Sequence, residues 1–356
     1  MNNKLSALGA TFLLCVTVLT LQSAVPHTLV QDKIEEEGFI MINGIAQWVT
    51  IKGDKTKPVI LFLHGGPGST MSPYADAVYG SWEKDFILVQ WDQRGAGKTY
   101  GHDAPAELTP EYLQANPLTV AQITADGIAL AEYLIKHLGK EKIILVATSW
   151  GSVPGVQMSL QRPDLFHAYI GHAQVVNPAA GMVAAYHTVQ REALGAADTA
   201  SLQTLENIGL PPYRKAKSLG QLLRIVKKYE RKKSVAAPEA WWVASAKYEN
   251  EKDARHRADG DDYSFVNFAG DEQLGVESMM PSINRMKDAL NFDIPVYFIQ
   301  GAEDILTPKE MTEDYFNKIT APKKEFILLP DAAHGHNRSV VEMQYEIVTK
   351  SSIRDK

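Results

Sequence analysis

Lys142-Ile143-Ile144-Leu145-Val146-Ala147-Thr148-Ser149-Trp150-Gly151-Ser152 is an apolar run that ends in a serine with small residues two positions away on each side. Four consecutive large apolar residues read as a strand buried on both faces. Small flanks are what a sharp strand-to-helix turn requires, because side chains there would collide with neighbouring backbone. The first flank is Ala147 where glycine is usual, a departure of one methyl group.

Further runs of the same kind lie at Pro58–Leu63, Phe86–Trp91, His167–Gly171, Ile294–Ile299 and Glu325–Leu329. Two more strands, Phe39 to Ile42 and Ile45 to Ile51, flank Asn43-Gly44, the residue pair favoured in a two-residue hairpin. Helical patterns fall between several of these runs, as at Val120–Leu138 and Met311–Ile319. Strands alternating with helices predict an α/β fold with a mostly parallel central sheet covered on both faces.

The alternation stops between about 176 and 291, a stretch rich in Ala, Leu, Glu and Lys with turn signals at Pro211-Pro212 and Ala236-Ala237-Pro238. It reads as a helical cap inserted between the sixth and seventh strands, leaving 25–175 and 292–356 as the core. Within it, Leu219, Leu222, Leu223, Val226 and Tyr229 fall at helical spacing with Arg224, Lys227, Lys228, Arg231 and Lys232 around them. That pattern predicts a cap helix with a solvated basic face, the alternative being a patch for a membrane surface or an acidic ligand.

A serine hydroxyl needs a base, and the base needs an orienting carboxylate. When the nucleophile sits on such a turn, the order along the chain is Ser, then Asp or Glu, then His. Ile294–Ile299 runs into Gln300-Gly301-Ala302-Glu303-Asp304, and Glu325–Leu329 into Pro330-Asp331-Ala332-Ala333-His334-Gly335-His336. Asp304 is preferred to Glu303, and His334 to His336. After Pro58–Leu63 comes His64-Gly65-Gly66-Pro67-Gly68, whose glycines let backbone N–H groups approach a developing oxyanion. Gly66 and Trp150 are the candidate donors.

These segments, together with Asp92-Gln93-Arg94-Gly95, resemble the proline iminopeptidase family over residues of about 35–175 and 292–350. The resemblance implies the α/β-hydrolase fold with a helical cap, and release of an N-terminal residue, commonly proline, from a short peptide. It also implies a Ser149, Asp304 and His334 triad with Gly66 and Trp150 as oxyanion donors. That family reads the substrate amine with cap carboxylates near a Trp-x-x-Trp-Glu segment. Here the nearest analogue is Trp241-Trp242 followed by Tyr248-Glu249, at a different spacing. Trp241, Trp242 and Glu249 are thus the substrate-binding candidates, with Glu239 and Glu251 as further carboxylates. An esterase or lactonase is the second expectation, with Trp241, Trp242, Tyr263, Phe265 and Phe268 as the aromatics from which a pocket would be drawn, most of them reading as ordinary cap core, and a non-catalytic receptor on the same scaffold is the third.

Composition narrows the classes. Hydrophobic residues at 45% and charged residues at 22% of 356 suit a globular chain, and a net charge of −6 argues against a nucleic-acid partner. Gly95-Ala96-Gly97-Lys98-Thr99 ends like a phosphate-binding loop but has Asp92 where the loop needs its first glycine. No metal-ligating cluster is apparent, so no cofactor is expected.

Residues 1–24 carry one charge, Lys4, then an apolar stretch to Leu21 and a Gln22-Ser23-Ala24 exit. They read as an export signal to the periplasm or exterior, the alternative being an uncleaved membrane tether. The single cysteine, Cys15, lies inside it, so the mature chain is expected to hold no disulfide.

Overall fold

A computed structural model describes residues 33–352, and the predicted signal or tether at 1–24 lies outside them. Eight strands form one sheet: β1 (Lys33–Ile42), β2 (Ile45–Asp54), β3 (Val59–Leu63), β4 (Ile87–Trp91), β5 (Ile143–Thr148), β6 (Phe166–His172), β7 (Val296–Gly301) and β8 (Lys324–Leu329). Their order is β1-β2-β4-β3-β5-β6-β7-β8. β1 and β2 join as an antiparallel hairpin, β2 pairs antiparallel with β4, and every later pairing is parallel. At the hairpin turn Asn43 and Gly44 both adopt positive φ, 46° and 84°, as a turn matched to strand twist demands. The hairpin strands are longer than the apolar pattern alone marks, because β1 is an edge strand with mostly exposed residues.

Alternation of side chains explains the continuous apolar runs of the central strands. Ile143 and Leu145 enter the core on one face of the sheet, whereas Ile144 and Val146 enter the core on the other. A strand sandwiched in this way has no polar face. Before the cap come α1 (Ala75–Tyr79), α2 (Gly97–His102), α3 (Pro110–Ala115), α4 (Val120–Leu138) and α5 (Ser152–Gln161). α4 has the bounds its pattern predicts. Thr119 and Gln122 form a capping box at its start, and Gly139 ends it in the left-handed conformation.

Between β6 and β7 lie α6 (Pro178–Gly195), α7 (Thr199–Ile208), α8 (Ala216–Lys233), α9 (Glu251–Ala269) and α10 (Arg285–Asp288), with no strand of the sheet among them. α11 (Lys309–Lys318) and α12 (Arg338–Ser352) complete the chain's described part. α8 buries Leu219, Leu222, Ile225, Val226, Tyr229 and Glu230, so its apolar stripe is a packing face. Glu230 is the exception to the hydrophobic rule on that stripe.

Candidate active site

Parallel strands bring their C-terminal ends to one edge of a sheet, where ligands of α/β folds bind. β3, β5, β7 and β8 end there and deliver the glycine loop, Ser149, Asp304 and His334.

Ser149 has a φ of 51°, a left-handed conformation that non-glycine residues adopt only when their surroundings enforce it. Its neighbours show why. A Cβ added at Gly151 would stand 2.2 Å from the carbonyl oxygen of Leu63 and 2.7 Å from that of His64, so only glycine lets the turn press against the end of β3. Ala147 is accommodated because Gly155 faces it: a Cβ there would approach the Ala147 methyl to 3.2 Å. Ser152 donates to the Ser149 carbonyl at 2.6 Å and accepts from Val175 N–H at 2.9 Å, tying the turn to the exit of β6.

The exits of β7 and β8 are bonded side by side. Ala302 N–H donates to Leu329 O at 2.9 Å and Glu303 N–H to Ala332 O at 3.0 Å. This brings Asp304 and His334 together: His334 Nδ1 lies 3.1 and 3.0 Å from the two carboxylate oxygens. On the other side of the ring, His334 Nε2 is 2.7 Å from Ser149 Oγ. Three residues from three strand ends thus form a continuous hydrogen-bonded row. Asp304 also accepts from the Thr307 amide at 2.8 Å, the Thr307 hydroxyl at 2.6 Å and Gln300 Nε2 at 3.1 Å, so its charge is buried but satisfied. Burial opposes a charge on His334, but the Asp304 carboxylate, its hydrogen bond and Glu230 outweigh burial and hold the imidazole above its ordinary 6.5.

His336 takes a different place. Its Nε2 shares a hydrogen bond of 3.0 Å with the Tyr79 hydroxyl, and burial, then the neighbouring His334, lowers it to about 4. Glu303 points away from the row, 3.9 Å from Lys233.

The glycine loop is clamped by Asp92-Gln93-Arg94. Gln93 N–H donates to His64 Nε2 at 3.1 Å, and Gln93 Nε2 donates to the His64 carbonyl at 3.1 Å. The Gln93 side-chain oxygen accepts from Trp150 Nε1 at 3.2 Å, joining this loop to the serine turn. Burial lowers His64 to about 4, so it stays neutral, with its Nδ1–H on the Gly65 carbonyl at 2.8 Å. Asp92 accepts from Thr70, from Ser72 at 2.6 Å and from Lys98 N–H at 2.9 Å. Arg94 forms a bidentate pair with buried Asp126 on α4, at 2.7 and 3.1 Å. The would-be phosphate loop is held to this clamp, its Lys98 N–H and Thr99 hydroxyl both donating to Asp92. Gly66 has a φ of 115°, and Trp150 is the second residue of the 3-10 turn Ser149–Gly151, at whose start N–H groups lack intrahelical acceptors.

A cavity of about 570 Å³ covers Ser149 and His334 and is lined by Gly66, Trp150 and cap residues. α9 reaches it by docking on two glycines: Gly68 sits against Gly260 and Asp261, and Gly95 against Ser264, whose hydroxyl donates to Gly95 O at 2.8 Å. Of the cap candidates, Trp242, Phe265 and Phe268 line the cavity. Trp241 does not; it packs against the core under Arg338. Glu249 lies at the exposed end of a 3-10 turn, Glu251 begins α9 at its far end, and Glu239 is likewise off the cavity wall. Tyr263 is buried on the core side, donating to Asn116 O at 2.7 Å. The spacing analogy failed because it ranked carboxylates by distance from tryptophans in sequence. The cap carboxylates on the wall are instead Asp261 and Asp262.

Glu230 also escaped the sequence reading. Its carboxylate accepts from Ile305 N–H at 2.8 Å and Leu306 N–H at 3.3 Å, fastening α8 to the loop that carries Asp304. Burial, relieved in part by His334 and reinforced by Asp304, raises it to about 7. An acidic residue on an apolar helical stripe was the available signal. Because its folded value lies above the ordinary 4.5, its contribution to stability is present below pH 4.5 and lost as pH rises through about 7. Glu230→Gln keeps the acceptor and should remove this pH dependence from thermal melts. It should also move the acidic limb of kcat/KM downward, since one charge favouring protonated His334 is gone. Glu230→Ala, which leaves two amides without their acceptor, should cost about 1–3 kcal/mol of stability.

The model of a protein family described as alpha/beta hydrolase fold matches residues 58–336. A probable aminopeptidase of Bacillus subtilis, YbaC, is 28% identical over 302 residues, covering 83% of this chain and 86% of the relative. A probable proline iminopeptidase of Leptolyngbya boryana is 26% identical over 295 residues, 78% of this chain and 81% of the relative. The crystal structure of a Mycobacterium smegmatis proline iminopeptidase shares the fold with a TM-score of 0.62 at 16% identity, over 91% of this chain and all of that one. The likeness read from the motifs is borne out by these relatives.

Proposed function

The chain belongs to the α/β-hydrolase family, and from that premise we propose that it is an exported serine aminopeptidase releasing N-terminal residues from short peptides, residues 1–24 serving export or tethering. The observation that carries this reading is the row Ser149 Oγ, His334, Asp304, with its 2.7 Å contact between hydroxyl and imidazole. In the reaction, Ser149 Oγ attacks the carbonyl carbon while His334 Nε2 takes its proton. The Gly66 and Trp150 N–H groups receive the oxyanion, each worth about 3–4 kcal/mol of barrier. His334 then gives the proton to the departing amine as the C–N bond breaks. Water, activated by the same imidazole, releases the acyl group and restores the hydroxyl.

Asp261 and Asp262 favour a peptide over a plain ester. Burial, followed by the charges of Asp261 and Asp259, raises the Asp262 carboxyl, a strain that a substrate ammonium would relieve. The fold alone does not choose, since it hosts many hydrolases.

Aminoacyl p-nitroanilides test the reading, each with a free and an acetylated amine. Free-amine compounds should turn over, and acetylation should lower kcat/KM by about 100-fold, the scale of a lost charged contact at a partly buried site. Asp262→Asn should raise KM for the free-amine series. Brisk cleavage of acyl esters with no turnover of any anilide would replace the aminopeptidase by the esterase reading.

A further inference from the structure

Charge on the cavity wall is divided between two cap helices that are fastened to different loops of the site, α9 to the glycine loop and α8 to the loop that carries Asp304. α9 brings Asp261 and Asp262 to the side of the glycine loop, where the Ser69 hydroxyl donates to Asp261 at 2.6 Å. α8 lies on the imidazole side, where Glu230 holds the backbone next to Asp304. One turn earlier on α8 is Lys227, whose positive charge opposes protonation of His334, and another turn earlier is Arg224. Both line the cavity, both are largely exposed, and neither has an ion-pair partner among the described residues. Their neighbours on the helix are tied elsewhere: Lys228 to Asp198, and Lys233 to Glu192 at 2.7 Å. Two unpaired cations therefore converge on the cavity from the side of the base.

The leaving group of an acyl transfer departs toward the imidazole that protonates it. The part of the substrate that faces α8 is thus the part that leaves, and the part beside the glycine loop and α9 is the acyl part. We propose that Arg224 and Lys227 form an anion subsite for the leaving group, so that the preferred substrate is a zwitterionic di- or tripeptide with a free C-terminal carboxylate. This rests on the aminopeptidase reading for the substrate class, with the ammonium at Asp261 and Asp262 and the carboxylate at Arg224 and Lys227. A cavity of about 570 Å³ is of the size that encloses a ligand of those dimensions. The basic stripe of residues 219–232 then has two roles. Lys228, Arg231 and Lys232 lie away from the cavity, while Arg224 and Lys227 read a negative charge.

The test compares two substrate pairs in the full chain. One is a dipeptide against the same dipeptide amidated at its C-terminus. The other is the acetyl ester of 4-hydroxybenzoate against that of 4-hydroxybenzamide, each rate normalised to alkaline hydrolysis. The wild type should favour the anionic member of each pair by about tenfold in kcat/KM at low salt, and less at high salt. In the double variant Arg224→Gln, Lys227→Gln both ratios should fall to about one, and in Lys228→Gln they should stay at the wild-type value. Turnover of the uncharged members reports that each variant is folded. A wild type indifferent to the charge, or a double variant that keeps the preference, overturns the subsite. If neither peptide is cleaved while the ester ratio responds as described, the aminopeptidase reading fails and the anion subsite stands.

Discussion

Ser149→Ala should lower kcat by about five to six orders of magnitude, the scale on which serine hydrolases fall when the nucleophile is removed. The residual rate, about 10³-fold or more above water, should come from the Gly66 and Trp150 amides and from substrate binding. The fold should be unaffected. Among the described residues the Ser149 hydroxyl hydrogen-bonds to His334 Nε2 alone, and the left-handed backbone at this position is enforced by Gly151 against β3, not by the side chain. Thermal melting and circular dichroism should therefore match the parent, and a fluorophosphonate should label the parent alone. Turnover within tenfold of the parent, in protein free of contaminating activity, would remove Ser149 from the mechanism.

Asp304→Asn is the second large effect, about 10⁴-fold in kcat. The carboxylate accepts from His334 Nδ1, from Thr307 through its amide and hydroxyl, and from Gln300. An asparagine has one oxygen and an NH₂ group to set among those donors. If it donates to His334 Nδ1, the imidazole holds its proton on Nε2 and cannot accept one from Ser149. The pH profile carries a second, independent readout. His334 must be neutral to act as base, so activity is lost as pH falls through its folded value, which lies above 6.5. Asp304 is the largest influence raising that value. The residual activity of the variant should therefore have its acidic limb at lower pH than the parent. A variant of near-parental kcat with an unmoved limb would show that Asp304 does not orient the base.

The core of the site was legible because each of its parts is local in sequence. A buried strand announces itself as an apolar run, and the loop that follows it announces its task through glycine, serine, histidine or aspartate at its exit. Parallel pairing then brings exits 30 and 185 residues apart to one edge, as for His334 with Asp304 and with Ser149. The roles of Asp92, Gln93 and Arg94 could be recognised as a motif but not explained. Their physical reason, a clamp between the glycine loop, Trp150 and α4, exists only across chain segments.

The cap shows the limit. Periodicity marked the buried stripe of α8, since apolar burial depends on spacing within one helix. It carried no information on what each polar residue at the edge of that stripe would meet. Whether Glu230 reaches the Asp304 loop, whether Arg224 and Lys227 rather than Lys228 face the cavity, and whether Asp261 and Asp262 rather than Glu249 supply the carboxylates all depend on how helices dock. Sequence alone determined the sheet, the nucleophile turn and the order of reacting groups, because those follow from local backbone constraints. Tertiary structure alone decided which charges line the cavity, because docking depends on contacts such as Gly68 with Asp261 that join residues far apart in the chain.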